Sequence, residues 1–286
     1  LLGDPPLFLG FLKGVSFFWT TTHLFSEMLV CAIILLAIFY LMDSYWYRKE
    51  GHLKRDPTPE SPVRIEGGIN IILLAAVVGV VLASGTWKPG VTFSVFHVTL
   101  ELQHVLRDLS LIAICALSLK LTTRKIRTDN SFSWGPMAEV AKLFAGIFIT
   151  IAPAIAILKV GMDGAMAPLV ALVTNPDGQP NDVWYFWLTG ILSSFLDNAP
   201  TYLVFFNLAG GDPINLMGPL ASTLAAISAA AVFMGANTYI GNAPNFMVKA
   251  VVEESGIRMP SFFGYMAWSM AILVPLFVLL TFIFFL

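Results

Sequence analysis

The sequence predicts an all-α polytopic membrane protein in which some helices break inside the bilayer. Three observations carry this. Charged residues make up only 12% of the 286-residue chain and hydrophobic residues 57%, whereas a soluble domain has about 25% charged residues. The apolar residues fall in runs long enough to cross a hydrocarbon core of about 30 Å. Finally, runs 184–206 and 216–254 are interrupted by Asp, Asn, Gly and Pro, which are costly in lipid unless they serve a purpose. A soluble enzyme, a nucleic-acid binder and a secreted disulfide scaffold are excluded. The formal charge of −2 names no charged partner, and Cys31 and Cys115 lack the spacing of a metal site. His23, His52, His97 and His104 are scattered, with no Ser-His-Asp or His-Glu-x-x-His pattern, so no enzyme is expected.

Seven apolar runs follow in order: 24–46, 68–84, 108–121, 138–158, 184–206, 216–236 and 262–286. Cytoplasmic loops hold the excess of Lys and Arg. That places Arg48, Lys49, Lys54, Arg55 and Arg64, and then Lys120, Arg124, Lys125 and Arg127, on the cytoplasmic side. Runs 68–84 and 108–121 lie between these clusters and return the chain to the same face, so the assignment is self-consistent. The stretch 85–107 reads as an amphipathic helix in the outer interface. His97 and His104 would share one of its faces, as a metal or proton site or as interfacial residues. His23 and Glu27 share a face at the outer end of run 24–46, as a relay or an interfacial pair.

The run 184–206 carries Asp197, Asn198 and Pro200 at its middle. A re-entrant hairpin accommodates them: residues 184–195 enter, SFLDNAPT turns, and 201–209 leave on the same side. Run 216–236 is next, and GANTYIGNAPNF breaks it at 235–246 before a continuation to Glu254. Gly235, Gly241 and Pro244 are the breakers. Half-helix ends and unwound carbonyls in such a segment can hold an ion.

The start of the chain repeats this punctuation. Residues 2–8 read LGDPPLF and residues 240–246 read IGNAPNF, and each precedes a long aromatic-rich run, 24–46 or 262–286. Run 24–46 leads inward to Arg48 and Lys49, whereas 262–286 leads outward from Arg258, so the copies are inverted, as in transporters that bind at the repeat interface. The organisation expected is residues 1–50 as the end of a first repeat, 51–131 as connecting loops and spans, and 132–286 as the second repeat. That second repeat holds hairpin 184–209, broken helix 216–254 and a last span. The second copy has a hairpin before its broken motif and the first has none. The chain opens on Leu1 without a signal-peptide pattern. The expectation is an N-terminal part missing from this chain, about 120–160 residues.

At LGDPPLF, SSFLDNAPTY and NTYIGNAPN the sequence resembles the ion transporter superfamily, which includes D-type sodium/proton antiporters, arsenite permeases, citrate carriers and dicarboxylate/sodium symporters. The resemblance covers nearly the whole chain. Stretches 132–153 and 184–268 look most like bacterial proteins described as sodium/proton antiporters or citrate transporters. It implies an inverted-repeat secondary transporter in which hairpin tips, here Ser193 to Thr201, meet broken helices, here Gly235 to Asn245 and Leu2 to Phe8. A homodimer in the bacterial cytoplasmic membrane, with a lipid bilayer around it and a small ion or anion as substrate, is also implied.

Charge chooses among these substrates. Asp197 in the hairpin tip and Asp4 in the broken segment attract Na⁺ and repel citrate, by about 4 kcal/mol at close range and an effective dielectric of 20. A carboxyl group partly out of water can also exchange a proton for a cation. Exchange of Na⁺ or Li⁺ for H⁺ is therefore expected, with Na⁺ as the transported or coupling ion and no cofactor. Asp197 would be its carrier and Asp4 the pseudo-symmetric carboxylate. Neutral oxygens would come from Asn198, Thr201, Asn237, Thr238, Asn242 and Asn245, with Gly241 in the unwound backbone. Asp197, Asn198 and Asn242 are the nominated Na⁺ ligands. Glu139 is a proton-relay candidate or a helix-start acid paired with Lys142. Asp4 and Asp197 also fit helix N-caps. The alternatives are a sodium- or proton-coupled citrate or organic-anion transporter, or an arsenite-type permease. No Arg or Lys nearer than Lys249 stands beside the motifs to bind an anion.

Overall fold

A computed structural model describes residues 4–50, 65–95, 98–130, 132–135 and 167–254, together with 256–286. Between 135 and 167 it describes 137–138, 141–142, 145–146, 149–150, 153, 156–157, 160 and 163–165. The chain forms two compact units, residues 34–134 and residues 1–33 with 135–286. Four helices among the described residues are long and apolar enough to cross a membrane: Phe25–Lys49, Ile69–Thr86, Leu102–Leu121 and Phe262–Phe285. The protein is thus an all-α integral membrane protein in the main, and these four spans fall on the expected runs. Run 138–158 lies largely outside the described residues, as do Glu139, His97 and Lys54, Arg55 and Arg64 of the basic loop.

Two short helices and two long ones open the described chain in the order α1 (Pro5–Leu12), α2 (Trp19–His23), α3 (Phe25–Glu50) and, after the basic loop, α4 (Ile69–Thr86). Next come strands β1 (Thr92–Val95) and β2 (Val98–Glu101), helix α5 (Leu102–Leu121) and helix α6 (Arg124–Asp129). In the unit 34–134, α4 packs on α5. Ile69, Ile71, Ile72 and Leu74 of α4 are exposed, which suits lipid, not water. Packing between such helices gains little from the hydrophobic effect, so polar side chains act as fasteners. Asn70 does this: its Oδ1 accepts from the Ser118 hydroxyl at 2.8 Å and its Nδ2 donates to the Thr122 hydroxyl at 2.9 Å. Beyond the C-terminus of α5, the Arg127 guanidinium donates to the Leu119 carbonyl at 3.0 Å, satisfying a helix-end acceptor with a favourably placed cation.

The expected interfacial helix at 85–107 is corrected. Residues 92–95 and 98–101 pair as antiparallel strands, with Thr92 opposite Glu101 and Val95 opposite Val98. Thr92, Val95, Val98 and Thr99 are β-branched, and such residues favour a pleated strand over a helix. Helix α5 begins at Leu102, so it takes in His104 and Arg107. His104 sits 3.9 Å from Glu101, both half-exposed. His23 and Glu27 also part company, because the chain breaks at Leu24. His23 stacks on Trp19 and bonds its carbonyl at 2.9 Å, whereas Glu27 is buried in α3 and accepts from Ser26.

The other unit contains α7 (Ala167–Leu172), α8 (Asp182–Phe195), α9 (Asn198–Leu208), α10 (Pro213–Met217), α11 (Ala221–Phe233), α12 (Ala243–Glu254) and α13 (Phe262–Leu280). Helices α8 and α11 run parallel, since both ends match. The Thr223 hydroxyl donates to Asp182 Oδ1 at 2.6 Å where the two helices start, and the Ser193 hydroxyl donates to the Ala231 carbonyl at 2.7 Å where they finish. Small residues allow this approach: Ala225, Ala226, Ala229, Ala230 and Ala231 are buried, and a Cβ on Gly190 would collide with the Met234 sulfur. Helix α9 turns back along α8, so that the Tyr185 and Phe205 rings meet edge to face with centroids 6.3 Å apart. Residues 182–208 are therefore a helical hairpin with its tip at Leu196–Asp197. The turn is tighter than the expected SFLDNAPT, residues 194–201, because α8 runs to Phe195 and Asp197 starts α9 at once. Run 216–236 is divided as well: Asp212 caps α10 through the Ile214 N–H at 3.1 Å, and α11 begins only at Ala221.

The Asn70 fastener can be tested by thermal unfolding in detergent. Asn70→Leu should weaken the α4–α5 pair by about 1 kcal/mol and lower the melting temperature, whereas Ile72→Leu on the outward side should leave it unchanged.

Candidate functional site

At the start of α1, Asp4 adopts an extended backbone (φ −121°, ψ 112°) with prolines at the first two helical positions, and it makes no capping hydrogen bond. Its Oδ1 is buried and has no hydrogen-bond partner. Helix α1 packs on α9, and a Cβ on Gly10 would land on the Tyr202 hydroxyl, so glycine is what lets the two helices close. This packing brings the Asp4 carboxyl within electrostatic range of Asp197. The helices that carry the two acids singled out in the sequence, 193 residues apart, are therefore neighbours.

Asp197 is the N-cap of α9. Its Oδ1 accepts from the Ala199 N–H at 2.9 Å and its backbone carbonyl from the Thr201 hydroxyl at 3.0 Å. Capping leaves a carboxylate with further acceptor capacity, so the cap and an ion ligand are compatible roles. Asn198 and Thr201 are both buried in the first turn of α9.

The broken segment begins where α11 tightens into a 3-10 turn, Met234–Asn237, and then leaves helical geometry at Thr238. The last turn of α8 holds it. The Ser194 hydroxyl lies 2.9 Å from the Met234 carbonyl and 2.8 Å from that of Gly190, and it accepts from Asn237 Nδ2 at 2.9 Å. The Thr238 hydroxyl donates to the Ser194 carbonyl at 2.5 Å while accepting from the N–H groups of Ile240 and Gly241. Asn245 Nδ2 donates back to the Thr238 carbonyl at 2.9 Å, and Asn242 Oδ1 accepts from the Asn245 N–H at 2.9 Å at the start of α12. From behind, the Ser269 hydroxyl of α13 donates to the Asn237 carbonyl at 2.6 Å and the Tyr265 hydroxyl to the Ala236 carbonyl at 2.9 Å.

Thr238, Asn242 and Asn245 therefore build the unwound backbone, since the Thr238 hydroxyl, Asn242 Oδ1 and Asn245 Nδ2 each have a protein partner. Asn237 differs, because its buried Oδ1 has none. Of the nominated residues, Asp4 and Asn237 each keep a buried oxygen free, and Asn237 is bonded to Ser194, three residues from Asp197. Gly241 is a backbone contact: a Cβ there would lie 2.8 Å from the Ser193 carbonyl oxygen. Sequence reasoning passed over Ser193 and Ser194 as ligands although they stood in the hairpin tip, and passed over Tyr265 and Ser269. A pair of hydroxyl residues one turn before a helix break was the available signal for the first two. Lys249 is occupied, 2.6 Å from Glu253 and above the Tyr239 ring.

A family model described as "Putative citrate transport" matches residues 1–285. No curated protein and no solved structure matches the chain.

Gly241→Ala is expected to destabilise the fold by about 1–3 kcal/mol, the usual cost of forcing atoms into a filled site, since the atoms it meets are backbone. Gly79→Ala in α4, where nothing lies within 4 Å of the added Cβ, is the control and should not lower the melting temperature.

Proposed function

Because the chain belongs to this citrate-transport family of membrane transport proteins, we propose that it is a secondary transporter that exchanges Na⁺ or Li⁺ for H⁺ by alternating access, with Asp197 as carrier. The carrying observation is the pair of carboxyl groups at the starts of two neighbouring helices. Each helix N-terminus presents about half a positive charge, and each ionised carboxylate a full negative one. Two of each leave about one negative charge, which a single Na⁺ or a single proton balances and a citrate anion would worsen. Asp197, Asn198 and Asn242 are the proposed Na⁺ ligands, Asp4 and Asn237 supply further oxygens, and Glu139 is kept as a relay candidate. Four or more hard oxygens suit such a cation.

Two features support the membrane arrangement. Helices α8 and α9 have 14 and 11 residues, about 21 and 16 Å of helix, too short to span a hydrocarbon core of about 30 Å. The hairpin then enters and leaves on one side. Asp4-Pro5-Pro6 and Asn242-Ala243-Pro244 each start a helix, as the two copies of an inverted repeat would. A homodimer in a bacterial cytoplasmic membrane is part of the same reading.

Citrate carriage is the second reading, favoured by the family's description. In it Asp197 binds co-transported Na⁺ and the anion takes the helix N-termini and Asn groups. Vesicles containing the protein and an internal pH dye separate the two. Na⁺ added outside should drive proton release from the lumen, with a higher apparent Na⁺ affinity at higher pH because protons compete for the same carboxyl groups. Asp197→Asn should abolish the signal and Asp4→Asn weaken it. Na⁺-dependent uptake of labelled citrate without a proton signal would establish the second reading instead.

A further inference from the structure

Each backbone carbonyl from Met234 to Thr238 already accepts a side-chain hydrogen bond. Ser194 donates to Met234, Tyr265 to Ala236, Ser269 to Asn237, and Asn245 Nδ2 to Thr238 and, at 3.4 Å, to Gly235. The side-chain oxygen of Asn237 is the exception. It is buried and has no partner, on a residue only 4% exposed. Ser194 determines which end of that amide is left over. Its hydroxyl has one proton, which goes to a carbonyl, that of Gly190 at 2.8 Å or of Met234 at 2.9 Å, so toward any other group the Ser194 oxygen can only accept. Asn237 meets it with the donor end, Nδ2, at 2.9 Å, and Oδ1 is the end left open. The reversed amide would draw the proton away from the carbonyls and leave buried N–H groups in place of the open oxygen. Because Ser269 holds the Asn237 backbone carbonyl at 2.6 Å, the residue is fixed from two sides.

We propose that Ser194 is a positioning residue for cation binding: it holds the Asn237 amide with its oxygen open, so that the broken segment offers Na⁺ a side-chain oxygen in place of an unwound backbone carbonyl. A buried acceptor without a donor is costly, and a hard cation takes neutral oxygens of this kind. A carboxylate or citrate oxygen would meet it as a second acceptor. The amide carries no net charge, so it strengthens cation binding without altering the balance set by the carboxyl groups. Ser194 itself is fully engaged, donating to a carbonyl and accepting from Nδ2, and it acts through Asn237.

This role rests on the Na⁺ binding proposed above, but not on exchange of that Na⁺ for a proton, so binding is the measurement that tests it. The purified protein is titrated with Na⁺ against choline, and affinity is read from equilibrium binding of ²²Na⁺ and from the rise in melting temperature that a bound ligand causes. Asn237→Ala and Ser194→Ala should each weaken apparent Na⁺ affinity by about tenfold. The double variant should bind no more weakly than Asn237→Ala alone. A serine that only supports the fold would lower the melting temperature in both backgrounds and leave the affinity unchanged. Wild-type Na⁺ affinity in Ser194→Ala, or losses that add in the double variant, overturns the positioning role. Ser194→Cys, nearly isosteric but a weak acceptor, gives the same comparison if Ser194→Ala does not fold. In the vesicle assay, Na⁺ binding without Na⁺-driven proton release counts against the exchange reading and leaves the role of Ser194 standing; proton release together with wild-type Na⁺ affinity in the Ser194 variants does the reverse.

Discussion

The structure of the 135–286 part of the chain depends on one constraint: a helix broken away from water must find a partner for every backbone group that the break releases. At the end of α11 the partners are side chains from three other helical segments. Ser193 and Ser194 of α8 serve the carbonyls of Ala231 and Met234, Asn245 of α12 serves Thr238, and Tyr265 and Ser269 of α13 serve Ala236 and Asn237. A break satisfied this fully is a fixed feature of the fold. Its rigidity is what allows Asn237 to hold a free, buried oxygen at a defined position.

Close packing supplies the second requirement. Hydroxyls reach carbonyls on a neighbouring helix only if the backbones approach, and the Ala-rich face of α11 with Gly190 on α8 permits this. Gly10 does the same for α1 against α9. The small residues and the hydrogen bonds are therefore one device: the first sets the separation and the second uses it. The same close approach makes neighbours of the helices that start at Asp4 and Asp197.

Much of this was legible in the residues. The four spans follow from length and apolarity, and the hairpin from Asp197 and Pro200 in mid-run. The strand pair Thr92–Val95 and Val98–Glu101 was missed because flanking charges imitated an amphipathic helix, although the β-branched residues argued for strands. The division of Thr238, Asn242 and Asn245 from Asn237 was not legible at all. All four are polar residues in one broken segment, and only the folded geometry distinguishes those that hold the backbone from the one that leaves a buried oxygen without a partner.

By itself the sequence determined that the chain lives in a membrane, where its helices break, and that acids stand at two of the breaks, because these follow from composition, from segment length and from the backbone limits of Pro and Gly. Tertiary structure alone decided that the helices carrying the two acids pack together. Asp4 and Asp197 are separated by nearly two hundred positions, and nothing local encodes their approach; it depends on the absence of a side chain at Gly10, where α1 closes on Tyr202.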